Sequence, residues 1–160
     1  MHTFFKFLLF LALPLLPVSC EKANVEPSGV DIECLPGKWV PYKHMIRGID
    51  ASGKLCESTV DYGLSSKELK NAKSYLLINA DGTASTITYS TTYPSVEWVW
   101  SVKDDITLHF ERTYPHGSGI SDTFTIIYLT KDRMCLFDIG QASMPGGMNI
   151  TTYYKRVDLL

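Results

Sequence analysis

Leu76-Leu77-Ile78-Asn79-Ala80-Asp81-Gly82-Thr83 is the stretch that decides the fold of this chain. An apolar run ends in Asn79, and Ala80-Asp81-Gly82 then supplies turn chemistry, because Asp bonds its own backbone and Gly reaches left-handed conformations without a steric penalty. The chain continues from Thr83 to Tyr89 with Thr, Ile and Tyr, residues that suit a pleated, half-buried surface. A run, a tight polar turn and a second run predict a hairpin of antiparallel strands.

The pattern repeats outward from that hairpin. Ser74 to Asn79 and Thr83 to Tyr89 are followed by Glu97 to Lys103, Ile106 to Glu111, Ser121 to Thr130, Met134 to Ile139 and Asn149 to Arg156. Each run is short and rich in Val, Ile, Thr, Tyr, Phe or Trp, so each is predicted to be a strand. Lys103-Asp104-Asp105 and Lys131-Asp132-Arg133 are further compact polar connections. Upstream, Gly37 to His44 and Lys54 to Val60 form a first hairpin around Gly48 to Gly53. Ser66 to Ala72 is the one predicted helix, opened by Ser65 and Glu68 at capping-box spacing. Many short consecutive strands must hide their edges, and a closed barrel does so more fully than a sandwich. The expectation is an all-β chain: a single small up-and-down antiparallel barrel of about eight strands with one short helix.

Before the barrel the composition changes. Lys6, the apolar run Phe7 to Leu16 and the small residue Ser19 have the layout of an export signal. The run is about ten residues long and is interrupted by Pro14, with Pro17 just beyond it, whereas a membrane-spanning helix needs about 20. Cys20 would be the first mature residue, and Leu16-Pro17-Val18-Ser19-Cys20 resembles the bacterial lipoprotein signal, in which that cysteine is acylated. It departs from the usual pattern in carrying Pro17 three positions before the cysteine. Each acyl chain, palmitate for example, contributes on the order of 10 kcal/mol of membrane affinity at about 0.8 kcal/mol per methylene. The expected organisation is a signal over 1–19, a flexible tether over 20–33 and the barrel over 34–160. Localisation follows: exported and anchored to the cell membrane, with the outer membrane preferred to the inner.

Loss of Lys6 with the signal leaves 14 basic and 17 acidic side chains. With no basic stripe, the chain lacks the electrostatic footprint of a nucleic-acid binder. Nothing matches a nucleophile elbow, a phosphate loop or a dinucleotide fingerprint, so neither enzymatic activity nor a cofactor is expected. His44, His109 and His116 do not share metal-ligand spacing with one another or with the thiols, so no metal is expected.

Leu35-Pro36-Gly37-Lys38-Trp39 opens the first strand with a G-x-W triplet that resembles the start of lipocalin-type proteins. Leu76 to Thr83, Trp98, Trp100, Leu108-His109-Phe110, Tyr128-Leu129-Thr130 and Tyr153-Tyr154-Lys155-Arg156 extend the likeness to the small lipocalin-like lipoproteins of Bacteroidetes-type bacteria, over Leu35 to Val157. The chain is shorter than full-length lipocalins and lacks their long C-terminal helix. The resemblance implies that Trp39 plugs one barrel end beneath a basic side chain such as Arg156. Period-two alternation puts Trp98 and Trp100 on one strand face. With Tyr75, Leu77, Phe124, Ile126 and Tyr128 they would line a cavity for an apolar or aromatic ligand, or else simply fill the core.

Gly140 to Met148 is long for a hairpin connection and reads either as a lid over a cavity or as a surface crossing. Export makes a disulfide plausible, with Cys34 and Cys56 as the expected pair and Cys135 a buried thiol. Two functions stay open. One is a membrane-anchored module holding a small hydrophobic or amphipathic ligand. The other is a filled barrel that binds an envelope protein partner, with Thr83 to Thr92 as an edge for strand addition.

Overall fold

Among the described residues, nine strands and one short α-helix arise where the apolar runs and the capping box lie, after a 3-10 turn at Ile32–Cys34. They are β1 (Gly37–Ile49), β2 (Leu55–Asp61), α1 (Ser66–Lys70), β3 (Tyr75–Ile78), β4 (Thr83–Ile87), β5 (Val96–Lys103), β6 (Thr107–Thr113), β7 (Gly119–Leu129), β8 (Arg133–Asp138) and β9 (Asn149–Val157). The structure is a computed structural model that describes residues 28–50, 52–88, 96–113, 119–138 and 148–157.

Strand order follows sequence order from β3 to β9, every pair antiparallel. Closure depends on β1. Its first residues pair with β3 on one side, Trp39 opposite Leu76, while Lys38 to Arg47 pair with β9 on the other. Eight strands, β1 and β3 to β9, therefore form a closed antiparallel barrel. The ninth, β2, pairs only with Lys43–Ile49 of β1 and extends the wall beyond the end of β3. All seven β2 residues are exposed, and the Arg47–Glu57 ion pair at 2.6 Å links it to β1 on the surface.

The turns show why these sequences reverse. Asp81 accepts from the Thr83 amide at 2.9 Å and from its hydroxyl at 2.6 Å, while Gly82 takes φ +88°. Asp104 and Asp105 both adopt positive φ, 50° and 57°, a conformation that Asp tolerates better than most residues and that matches the twist of a hairpin. At α1, the Ser65 hydroxyl accepts from the Glu68 amide at 3.3 Å and the Ser65 amide donates back to the Glu68 carboxylate at 2.8 Å. Leu69 of this helix packs on Val40 and Val157, outside the barrel wall.

The two ends of the barrel differ. At one, here the floor, β1 begins, β9 ends and the short turns 79–82, 103–106 and 130–132 cluster. Leu35, Trp39, Ile78, Ala84, Leu108, Ile126, Leu129 and Met134 are buried there in one continuous core. The other end, the mouth, carries the β1–β2 hairpin.

The folded unit starts earlier than the expected boundary at residue 34. Gly29 and Asp31 hydrogen-bond Leu129 at 2.9 and 3.0 Å, and Val30 and Ile32 pack on the core. Residues 29–32, within the stretch expected as tether, thus lie against the barrel floor. Cys20 and Gly140–Gly147 lie outside the described residues.

Candidate functional site

Inward-facing side chains fill the barrel unevenly. Above the packed floor is a partly enclosed cavity of about 260 Å³, lined by Leu76, Thr86, Val96, Trp98, Phe110, Asp122, Phe124, Leu136 and Tyr154. Seven strands contribute, one or two residues each, as alternation in a barrel requires. The rings meet edge to face: Trp98 and Phe110 at 6.3 Å between centroids, Phe110 and Phe124 at 5.9 Å. Trp98 is held by its indole N–H donating to the Thr86 hydroxyl at 3.1 Å. Tyr154 on β9 is half-buried at the cavity wall, and desolvation pushes its phenol up to about 12.

Two of the seven wall residues expected from sequence, Trp98 and Phe124, line this cavity. Trp100 and Ile126 face inward but lie deeper, in the core, and the Trp100 indole donates to the Asn79 carbonyl at 2.8 Å. The other three point away from the interior. Leu76, not Leu77, opposes the inward Trp39, which puts Tyr75 and Leu77 on the outer face; Tyr75 packs against the helix cluster, with Lys38 Nζ 4.1 Å from its ring. Tyr128 is displaced by a register shift between Ile126 and Tyr128. The extra residue reverses the alternation, so Leu129 enters the core while Tyr128 packs with Cys135 and Tyr153 outside it. Phe110 was legible as the partner of Leu108 in an alternating run. Asp122 and Tyr154 carried no such signal, since their alternation holds polar and apolar residues together.

Asp122 is the one acid among the lining residues. It stands opposite Phe110 across the β6–β7 pair at the cavity's solvent-exposed rim, where partial desolvation followed by the charge of Asp138 raises its carboxyl above the ordinary range. Among the described residues no side chain makes a hydrogen bond or ion pair to it. His44, on β1, shares 3.0 Å with the Thr152 hydroxyl, and burial lowers its imidazole.

At the floor, Trp39 is completely buried, its indole N–H donates to the Leu35 carbonyl at 2.8 Å, and the Arg156 guanidinium carbon lies 5.8 Å from its ring centre. Gly37 makes this stacking feasible: a Cβ there would meet Arg156 Nε at 2.8 Å. The glycine and the tryptophan of the G-x-W triplet thus serve one arrangement.

Cys34 and Cys56 do not pair. Cys34 precedes β1 at the floor, Cys56 opposes Gly48 near the far end of the same strand, and both thiols are free. Eleven residues of extended β1 between Gly37 and Gly48 separate them by roughly 35 Å, far beyond disulfide reach. Thr83 to Thr92 offers no free edge over its described part, because β4 is bonded to β3 and β5; β2 ends the strand order instead. Among the described residues no three His, Cys, Asp or Glu side chains are placed to hold a metal ion, and no helix is long and apolar enough to cross a membrane.

No family model and no curated protein matches the chain. Among solved structures it is similar to the crystal structure of an LTBP1–LTC4 complex, at 11% identity and TM-score 0.46, covering 81% of this chain and 72% of that one. It is also similar to a redesigned beta barrel, at 13% identity and TM-score 0.33, covering 82% of this chain and all of the other.

Proposed function

We propose that this protein is an exported, lipid-anchored barrel that takes a small apolar or amphipathic molecule into its upper half. The observation that carries this reading is the half-filled interior: a 260 Å³ space with ring walls above a core that is packed without it. A volume just under the roughly 300 Å³ at which ligand pockets commonly begin suits a small molecule rather than a long acyl chain. The anchor supports the same arrangement. Gly29 is bonded to Leu129 at the floor, so a lipid on Cys20 would hold the barrel from the end opposite its mouth. The scaffolding alternative has less support, since it rests on a filled interior, and the upper half of this one is open.

Native mass spectrometry of the protein purified from its own host tests the ligand. A co-purifying small molecule, lost when Trp98 or Phe124 is changed to Ala, is expected; a ligand-free protein retaining a stable protein partner would replace this reading with scaffolding. Cys20→Ala tests the anchor independently: the variant should leave the detergent phase for the aqueous one, and unchanged partitioning would defeat lipidation.

A further inference from the structure

Among the residues that line the cavity, one is charged, and it lies at the exposed rim. Asp122 borders the rings of Phe110 and Phe124, and no described residue supplies it with a hydrogen or a positive charge. The charged and titratable groups around it add none. Asp138, opposite Phe124 on β8, is a second acid. Arg112, on β6, borders a second pocket with Glu97, Trp98, Val99 and Glu111 and is not among the residues that line the cavity. His44 is half-buried and bonded to Thr152, and its lowered basicity keeps it neutral. Tyr154 has no charge to offer. An exposed acid at the rim of an aromatic-walled cavity, with no base among the residues that line it, favours a ligand cation over an anion: the carboxylate gives the opposite charge and the ring faces give cation–π attraction.

The geometry points to the upper cavity as a site for a small organic cation, an ammonium group on an apolar or aromatic body, with Asp122 as counter-ion and Trp98, Phe110 and Phe124 as ring walls. This rests on the reading of the cavity as a ligand site, and adds the charge that the ligand carries. Asp138 reinforces the preference at longer range, because two neighbouring acids repel an anionic ligand and share the field of a cationic one. The raised carboxyl of Asp122 is consistent with the same picture: an ammonium ion in the cavity would pull it back down.

The test uses three probes of nearly equal size: phenethylamine, 2-phenylethanol and 3-phenylpropionate, titrated calorimetrically into the folded protein at about pH 8, where carboxylate and amine are both charged. The amine is expected to bind at least about tenfold more tightly than the alcohol, and the carboxylate most weakly. In Asp122→Asn the amine should fall to within about twofold of the alcohol while alcohol binding persists, which also shows that the cavity is intact. Carboxyl NMR should show the Asp122 titration moving to lower pH with amine bound. An amine no tighter than the alcohol in the unaltered protein, or a preference that survives Asp122→Asn, would overturn the cation assignment while leaving the cavity as a ligand site. Failure of all three probes would overturn both.

Discussion

The floor and the mouth of this barrel are built from the same strands and the same types of residue, yet they are used in opposite ways. At the floor, Trp39, Leu35, Ile78, Leu108 and Met134 have essentially no solvent exposure, short turns cap the strands and the N-terminal segment covers what remains. At the mouth, Trp98 and Phe124 are only partly buried, Asp122 lacks a partner among the described residues, and Leu55 at the hairpin tip is 67% exposed. Stability and recognition make incompatible demands on packing. A core gains from filling every void, whereas a binding site must leave one. The lower half meets the first demand and thereby allows the upper half to meet the second.

This division predicts a steep difference between tryptophans. Trp39→Ala should cost about 3–5 kcal/mol in denaturant unfolding, because it empties a fully packed position and strands Arg156. Trp98→Ala should cost less than half as much, since its side chain already borders open space. Equal costs would erase the distinction between the two ends.

Gly37→Ala isolates the floor arrangement. Its Cβ would displace Arg156 from the Trp39 ring at a cost of about 1–3 kcal/mol. In an Arg156→Ala background the same substitution should lose the part of that cost that comes from the guanidinium and keep the part set by the φ of +159°, a coupling that a double-mutant cycle would measure.

Asp122→Asn addresses the mouth, and the sign follows from the raised carboxyl. A folded-state value above the unfolded one means that stability is fully present below the ordinary Asp range and is lost as pH rises through the raised value. Asparagine does not lose it. The melting temperature of Asp122→Asn should therefore exceed that of the unaltered protein near neutral pH, with the gap closing in acid. A gap that widens in acid would mean that Asp122 is stabilised in the fold after all.

The smallest expected effect is at the 103–106 turn. Asp105 holds φ +57°, so Asp105→Gly should raise stability by about 1 kcal/mol or less, visible as a modest rise in calorimetric melting temperature. Ligand binding should not change, because this turn lies at the floor.

Much of the fold was legible because local chemistry sets it. Every predicted strand overlaps an observed one, and the Ser65–Glu68 capping box forms as its spacing implied. The cavity was legible only in part. Leu76 and Leu77 are both apolar, and only their pairing with β1 tells which faces in. On β7, strict alternation fails after Ile126, because the register shift depends on a fit to β8 that no residue in β7 announces. The Cys34–Cys56 pairing failed for a related reason: β1 runs on to Ile49, well past His44, and carries the hairpin to the far end of the barrel.

By itself, then, the sequence determined what its short-range interactions control: strand runs, turns, the helix cap, the G-x-W start and, as an expectation, the acylated Cys20. The tertiary structure decided which apolar residues share the interior, where the filled core stops and that Asp122 faces the remaining space. Alternation assigns a strand two faces but does not name the inner one. That choice is made only when β1 meets β3 on one side and β9 on the other, and closure turns eight local segments into a single inside.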